Sequence, residues 1–423
     1  MTGKRVTFAD VLRVREFRIL WLADAQSSIG DQVGRVALSV LVFERTASAL
    51  LTALTYALTF LPALVGGALL SSLADQLPRR QVMIASTCLR AVLFALMAVP
   101  AMPLWIICGL LIVAVLGEAP FTAAESAMMP AILEGDHYVV GTGLRTITYQ
   151  IAQLAGFAGG GLAIAAIGAR QGLLVDAVTF VLSSLLILFG VRARPAARTA
   201  DESGDEGFRL ASFLTGFRIV FGSPRLRALV GLAWLCGVYV VPEGVAAPYA
   251  ARISGGAAAV GLLMAAMPTG TALGTYLFVR WVPAGSRSTW MGPLGMASGV
   301  PLIFCVFLPG LAGSLALWAA SGLFFCYQVQ VVTEFVRDVP DAQRGQAVGI
   351  ASSGMLAVQG VGVLLGGWVA SGLGVGWAVA GSGLVGVILA LYLSAAWARA
   401  RRGSGDRLDG DRLIDSARPR HRA

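Results

Sequence analysis

The chain has 423 residues, 57% of them hydrophobic and only 13% charged, where an ordinary soluble domain carries about 25% charge. A string of soluble domains is thereby excluded. The formal net charge of +9 forms no basic stripe interleaved with aromatics, which argues against nucleic acid, and five cysteines scattered through apolar stretches offer neither a disulfide framework nor a metal site.

Apolar stretches recur at 17–43, 49–73, 80–100, 103–128, 139–167, 171–191, 226–250, 257–280, 289–308, 310–333, 345–370 and 374–397. About 20 such residues cross the ~30 Å hydrocarbon core as a helix. The sequence therefore predicts an all-α integral membrane protein with twelve transmembrane helices. The first stretch reads as a retained anchor rather than a cleaved leader, because no small-residue cleavage site follows a short apolar core.

In chain order, the first span carries Asp24 and Asp31 seven residues apart on one face, with Arg35 one turn beyond. An intramembrane charge costs at least ~2.5–3.5 kcal/mol on insertion scales and marks a functional candidate. Asp31, roughly 20 Å in from the N-terminal end of its helix, is placed for protonation from a central cavity. Burial and Arg35 act on its proton affinity in opposite senses, and a static Asp31–Arg35 pair is the structural alternative. Gln26 on the same span and Tyr56 on the second are polar candidates. Arg90 in span three could serve as a counter-ion.

Span four holds Glu118 deep inside and Glu125 near its end, within reach of Arg145 on span five. Asp176 falls near the outer end of span six, where capping is expected. Span seven places Glu243 after Pro242, at roughly the position Asp31 holds in the first half; Pro there frees a backbone carbonyl. Tyr149, Gln150, Gln153, Trp234, Tyr239, Tyr327, Gln328 and Gln359 complete the candidate lining of a cavity for an amphipathic organic substrate. Glu334 reads as topology. The G-x-G-x-x-G string Gly381–Gly386 lies inside an apolar span without a preceding strand, so it reads as helix packing.

The apolar rhythm breaks at 192–222, a linker whose Phe208, Leu210, Phe213, Leu214 and Phe217 fall at helical spacings, as in a helix lying on the membrane surface. It separates an N-terminal six-helix bundle, 1–191, from a C-terminal one, 223–398. The tail 399–423 is basic, low in apolar residues and expected to be disordered. Nearly all arginines fall in alternate gaps. The opposite gaps hold only Arg45, Arg170 and Arg252, while Arg35, Arg90 and Arg145 lie within spans. The positive-inside rule then puts both termini in the cytoplasm. One lysine, Lys4, among abundant arginine, alanine and glycine suggests a GC-rich bacterium, hence its cell (inner) membrane.

Between spans two and three runs Ser71-Ser72-Leu73-Ala74-Asp75-Gln76-Leu77-Pro78-Arg79-Arg80. It resembles the loop signature G-x-x-x-D-R-x-G-R-R of the major facilitator superfamily, with Ser71, Gln76 and Pro78 departing from the pattern. The stretches FRILWLADAQSSIGDQVGRVALSVLVF (17–43) and LLVDAVTFVLSSLLIL (173–188) resemble the branch of macrolide, multidrug and enterobactin-type siderophore exporters. The resemblance implies two six-helix pseudo-repeats and a conformational latch at Asp75, Arg79 and Arg80. It also implies an antiporter-like span five, where Gly156, Gly160 and Gly161 match G-x-x-x-G-P-x-x-G-G and Phe157 replaces the proline. The arginine usual in span four of proton-coupled members is absent.

The expectation is a secondary active transporter, not an enzyme, exporting a small amphipathic drug, metabolite or siderophore by proton antiport and alternating access. Asp31, Asp24, Glu118 and Glu243 are its proton-coupling candidates and Arg35, Arg90 and Arg145 their charge partners. No cofactor or metal is required, and the partners are substrate, protons and lipid around a monomer. A facilitator or importer, or a non-transporting scaffold or sensor, is the alternative.

Overall fold

The computed structural model describes residues 6–69, 77–194 and 215–416. Twelve membrane-long helical segments follow a short helix, Phe8–Arg13, whose Thr7 and Asp10 form a reciprocal capping box. They are α1 (Arg15–Thr46), α2 (Ala49–Gly66), α3 (Arg79–Met97), α4 (Leu104–Ile132), α5 (Asp136–Ile167) and α6 (Ala169–Gly190). The second half contains α7 (Pro224–Gly244), α8 (Ala257–Trp281), α9 (Ala284–Phe307), α10 (Gly310–Asp338), α11 (Arg344–Leu373) and α12 (Val375–Ser416). Eleven of these are long and apolar enough to cross a membrane. The other, α1, is 32 residues long but carries Asp24, Asp31 and Arg35 through its middle.

Local sequence sets the boundaries. Ala47 ends α1 in a left-handed conformation at φ 47°, and Ser48 caps α2 by accepting from the Leu51 amide. Pro78 and Pro103 stand just before α3 and α4. Gly168 (φ 91°) and Gly374 (φ 99°) turn the chain between α5 and α6 and between α11 and α12, a conformation closed to most side chains. The helix of α4 breaks at Gly117, and α7 is divided into short pieces at Leu235 and Val240.

Packing repeats between the halves. In the first, α1 packs on α5 and α6, and α3 on α6; in the second, α7 packs on α11 and α12, and α9 on α12. Across the halves, α5 meets α8 and α2 meets α11, two contacts that the repeat makes equivalent. At α5–α8 a Cβ added to Gly161 would stand 2.6 Å from the Gly261 Cα, and at α11–α2 one added to Gly367 would overlap the Ala53 side chain. The two halves therefore touch backbone to backbone at the end remote from the termini.

The end of the linker, 215–222, is helical, with the Phe217 and Phe221 rings stacked at 4.4 Å. A Cβ on Gly216 would come within 2.7 Å of the Gln346 carbonyl, which seats this segment on the start of α11. Phe208, Leu210, Phe213 and Leu214 lie outside the described residues. The last helix continues to Ser416, whereas disorder is expected from Arg399 onward.

Candidate functional site

A cavity of about 860 Å³ lies between the halves, on the terminus side of the glycine contacts. Its wall is largely apolar, with Phe60, Val240, Met267, Phe325, Val332 and Met355 among a few convergent polar groups, the usual make-up of a site for a drug-sized molecule. A second space of about 390 Å³ adjoins it inside the N-terminal half and shares Arg35, Glu118, Thr122 and Tyr149 with it. This smaller space is lined by charges: Asp24, Asp31, Arg90, Glu125 and Arg145.

Those charges form two stacked layers. Arg90 of α3 donates from Nη2 to Asp31 Oδ1 at 2.6 Å and lies 3.8 Å from Glu118 Oε2. Arg145 of α5 donates to Asp24 Oδ2 at 3.3 Å and to Glu125 Oε2 at 2.5 Å. Each layer thus joins an acid from α1, an arginine and an acid from α4. Asp24 and Asp31 are seven residues apart, and so are Glu118 and Glu125; two turns, about 10.5 Å, separate the layers. Glu118 begins the helix that follows the Gly117 break, and its side chain is 49% exposed to the cavity, whereas that of Glu125 is 2% exposed. The matching spacing in α4 is the sequence signal that pairs these acids with those of α1.

Asp31 is paired with Arg90 rather than Arg35. Arg35 instead faces both cavities, with its guanidinium 5.7 Å from the Phe60 ring centroid. Across from it, Glu243 Oε2 accepts a 2.6 Å hydrogen bond from Tyr56, which ties α7 to α2 between the halves. The repeat corrects the place expected for Glu243. Gly160 packs on Val33 as its counterpart Gly366 packs on Val241. Tyr239 therefore answers to Asp31, and Glu243 to Arg35.

The other candidates divide. Tyr149, Gln150, Gln153 and Gln359 line the large cavity. Gln328 also reaches it, while its amide donates to the Ala233 carbonyl at 2.9 Å, where α7 begins to break. Tyr239 contributes only ring surface. It is fully buried, and its hydroxyl donates to the Gly295 carbonyl at 2.6 Å. Gln26 lies away from both cavities and donates to the Thr179 carbonyl at 2.7 Å. Tyr327, buried, donates to the Leu232 carbonyl, and the Trp234 indole to the Ala351 carbonyl at 2.9 Å. Glu334, expected only to set topology, accepts from Gln330 at 3.0 Å and lies 3.8 Å from Arg225. Among the wall residues, Met267, Thr271 and Met355 were not legible as such, because helical periodicity alone does not separate a cavity wall from a lipid-facing one.

Of the loop signature, Asp75 lies outside the described residues. Arg79 donates to the Ala127 carbonyl at 2.8 Å and Arg80 to the Leu188 carbonyl, so both bind late carbonyls of helices in their own half. Gly156 and Gly160 of the antiporter-like run pack on α1, at Gln32 and Val33, and Gly161 on α8. The same spacing recurs in α11 as Gly362, Gly366 and Gly367, against Gly237, Val241 and Ala53.

The Major Facilitator Superfamily model matches residues 20–243. The multidrug efflux pump Tap of Mycolicibacterium fortuitum is 26% identical over 371 residues, 84% of this chain and 89% of that one. Tap of Mycobacterium tuberculosis (strain ATCC 25618 / H37Rv) is 27% identical over 82% and 85%. An uncharacterized MFS-type transporter of Bacillus subtilis (strain 168), YkuC, is 29% identical over 42% of each chain, so this chain spans less than half the length of that relative. Among solved structures, a bacterial homolog of the human lysosomal transporter Spinster, inward-facing and unoccupied, superposes with a TM-score of 0.70 at 15% identity, covering 91% of this chain and 97% of that one. The nucleoside transporter NupG does so at 0.70 and 15%, covering 90% and 99%.

Proposed function

We propose that this chain, which belongs to the major facilitator superfamily, exports small amphipathic organic compounds across the bacterial cell membrane by alternating access, driven by proton antiport. Family membership makes it a membrane transporter rather than an enzyme. The observation that carries the proton-coupled reading is the pair of acid–arginine–acid layers that opens, at Glu118, into an apolar cavity of about 860 Å³. The likeness to two efflux pumps over most of the chain supports the direction and the substrate class.

With both termini in the cytoplasm, the cavity opens inward and the glycine contacts of α5–α8 and α2–α11 close the outer side. Substrate enters between Phe60, Met267 and Met355, beside Arg35 and Glu243. A proton reaching Asp31 or Glu118 neutralises one arm of the Arg90 bridge, and Asp24 and Glu125 do the same for Arg145. Neutralising Asp31 loosens α1 from α3 and neutralising Asp24 loosens it from α5, while at Glu118 and Glu125 it is α4 that loosens from the same two helices. Rocking of the halves exchanges the cytoplasmic opening for an outer one, with one monomer sufficient for the cycle. Tyr56–Glu243, the hydrogen bond between the halves, must part or re-form as they rock.

Everted membrane vesicles with a respiration-driven pH gradient test this reading with ethidium as the probe. Ethidium-triggered collapse of the gradient that Asp31→Asn abolishes is the expected result. Ethidium movement that ignores the gradient would support the facilitator reading instead, and no ethidium movement in the wild type would remove the export reading for this class of cation.

A further inference from the structure

Asp176 of α6 is a deeply buried carboxylate that this cycle leaves unused. It neither caps α6 nor reaches outer water. It is 0% exposed and stands level with Asp31, in a slot that α1 opens by carrying glycine at 30 and 34. A Cβ at Gly30 would come within 2.6 Å of Asp176 Oδ1, and one at Gly34 would overlap Oδ2. The Thr179 hydroxyl is 3.4 Å from Oδ1, but its hydrogen goes to the Asp176 backbone carbonyl at 2.7 Å, and Oδ2 has no hydrogen-bond partner.

The charged groups around Asp176 are Asp31 and Arg35 from α1 and Arg90 from α3; Glu118 of α4 bears on it through Arg90. Arg90 is held within the same packing. Its guanidinium stacks 4.2 Å from the ring of Phe180, one turn along α6 from Asp176, and its Nε hydrogen is also unpartnered. A buried donor and a buried acceptor therefore stand unsatisfied on neighbouring side chains while Arg90 is engaged with Asp31. An unpaired anion in such a place is unfavourable. Asp31 lines the charged cavity and Asp176 does not.

We infer that Asp31 and Asp176 share one proton and one arginine: Arg90 pairs with either carboxylate, and the proton sits on the other. In the exchange the Asp176 O–H bond breaks, an O–H bond forms on Asp31, and Arg90 leaves Asp31 for Asp176, so charge and protons balance. Asp176 is then an occluded proton store that reports the state of the cavity-facing acid to α6. Its coupling role rests on the export reading above; the shared proton itself does not.

Infrared spectroscopy of the purified protein in liposomes near neutral pH tests the pair without any substrate. The wild type should show a protonated-acid carbonyl band that Asp176→Asn removes. Asp31→Asn, a permanent mimic of protonated Asp31, should remove the same band, because the released Arg90 ionises Asp176; Asp31→Ser serves if the first variant does not fold. Absence of an Asp176 acid band in the wild type, or its persistence in the Asp31 variants, would overturn the shared site. In everted vesicles, Asp176→Asn should lose ethidium-triggered proton efflux, and efflux at the wild-type level would overturn the coupling role. A wild type that moves no ethidium sinks the export reading alone and leaves the infrared result to decide the pair.

Discussion

The two six-helix halves repeat one packing scheme with different side chains. Gly160 on Val33 and Gly366 on Val241 are the same contact, and Gly168 and Gly374 make the same turn. Where the first half carries Asp31, bound to an arginine, the second carries Tyr239, bound to a backbone carbonyl. The first half fills one side of its bundle with paired charges. The second retains one deep acid, Glu243, and breaks α7 into pieces, with prolines inside α8 and α9. Under the export reading, a common skeleton supports two kinds of work, charge exchange in one bundle and backbone adjustment in the other.

Five substitutions sharpen or break that contrast. The largest effect is expected for Arg145→Ala, which leaves Asp24 and Glu125 without their cation. Removing one partner of a buried ionic network costs about 3–5 kcal/mol, read as lost thermal stability in detergent; a near-silent variant would mean the charges are already well hydrated. Gly161→Val and Gly367→Val should each cost about 1–3 kcal/mol by overpacking equivalent contacts. Spin labels across the ends of α2 and α8 remote from the termini should move apart in both, and a response in only one would end the equivalence. Tyr239→Phe removes one neutral hydrogen bond, worth about 1 kcal/mol. It should spare proton coupling, and loss of coupling would put chemistry in the second half. The smallest effect is Arg80→Ala, about 0.3–1 kcal/mol from a helix C-terminal carbonyl. A large change in transport rate there would restore the latch between the halves.

Much of the skeleton was legible from where charge is absent, since span length and arginine placement follow from the bilayer itself. The seven-residue spacing of Asp24 and Asp31 announced a shared face. What the sequence did not disclose was the partner of each, because Arg90 and Arg145 come from helices whose rotation only packing decides. Gln26 was misplaced for the same reason: one helix offers polar groups to a cavity and to a neighbouring helix with the same periodicity. Asp176 was hidden more deeply, since its neighbours include Gly30 and Gly34, residues whose contribution is the space they leave empty. The glycine run of α5 resembled an antiporter signature; its recurrence in α11, with equally close contacts, gives it a packing role in both halves.

The glycine contacts at the end remote from the termini also bear on electrical insulation. At Gly161–Gly261 and Gly367–Ala53 the helices meet with no side chain larger than a methyl group between them. The membrane potential is worth about 2.3 kcal/mol per elementary charge per 100 mV. Under the alternating-access reading, part of that drop falls across the glycine contacts in this conformation, so the field felt by Arg35 and Glu243 changes when those contacts open.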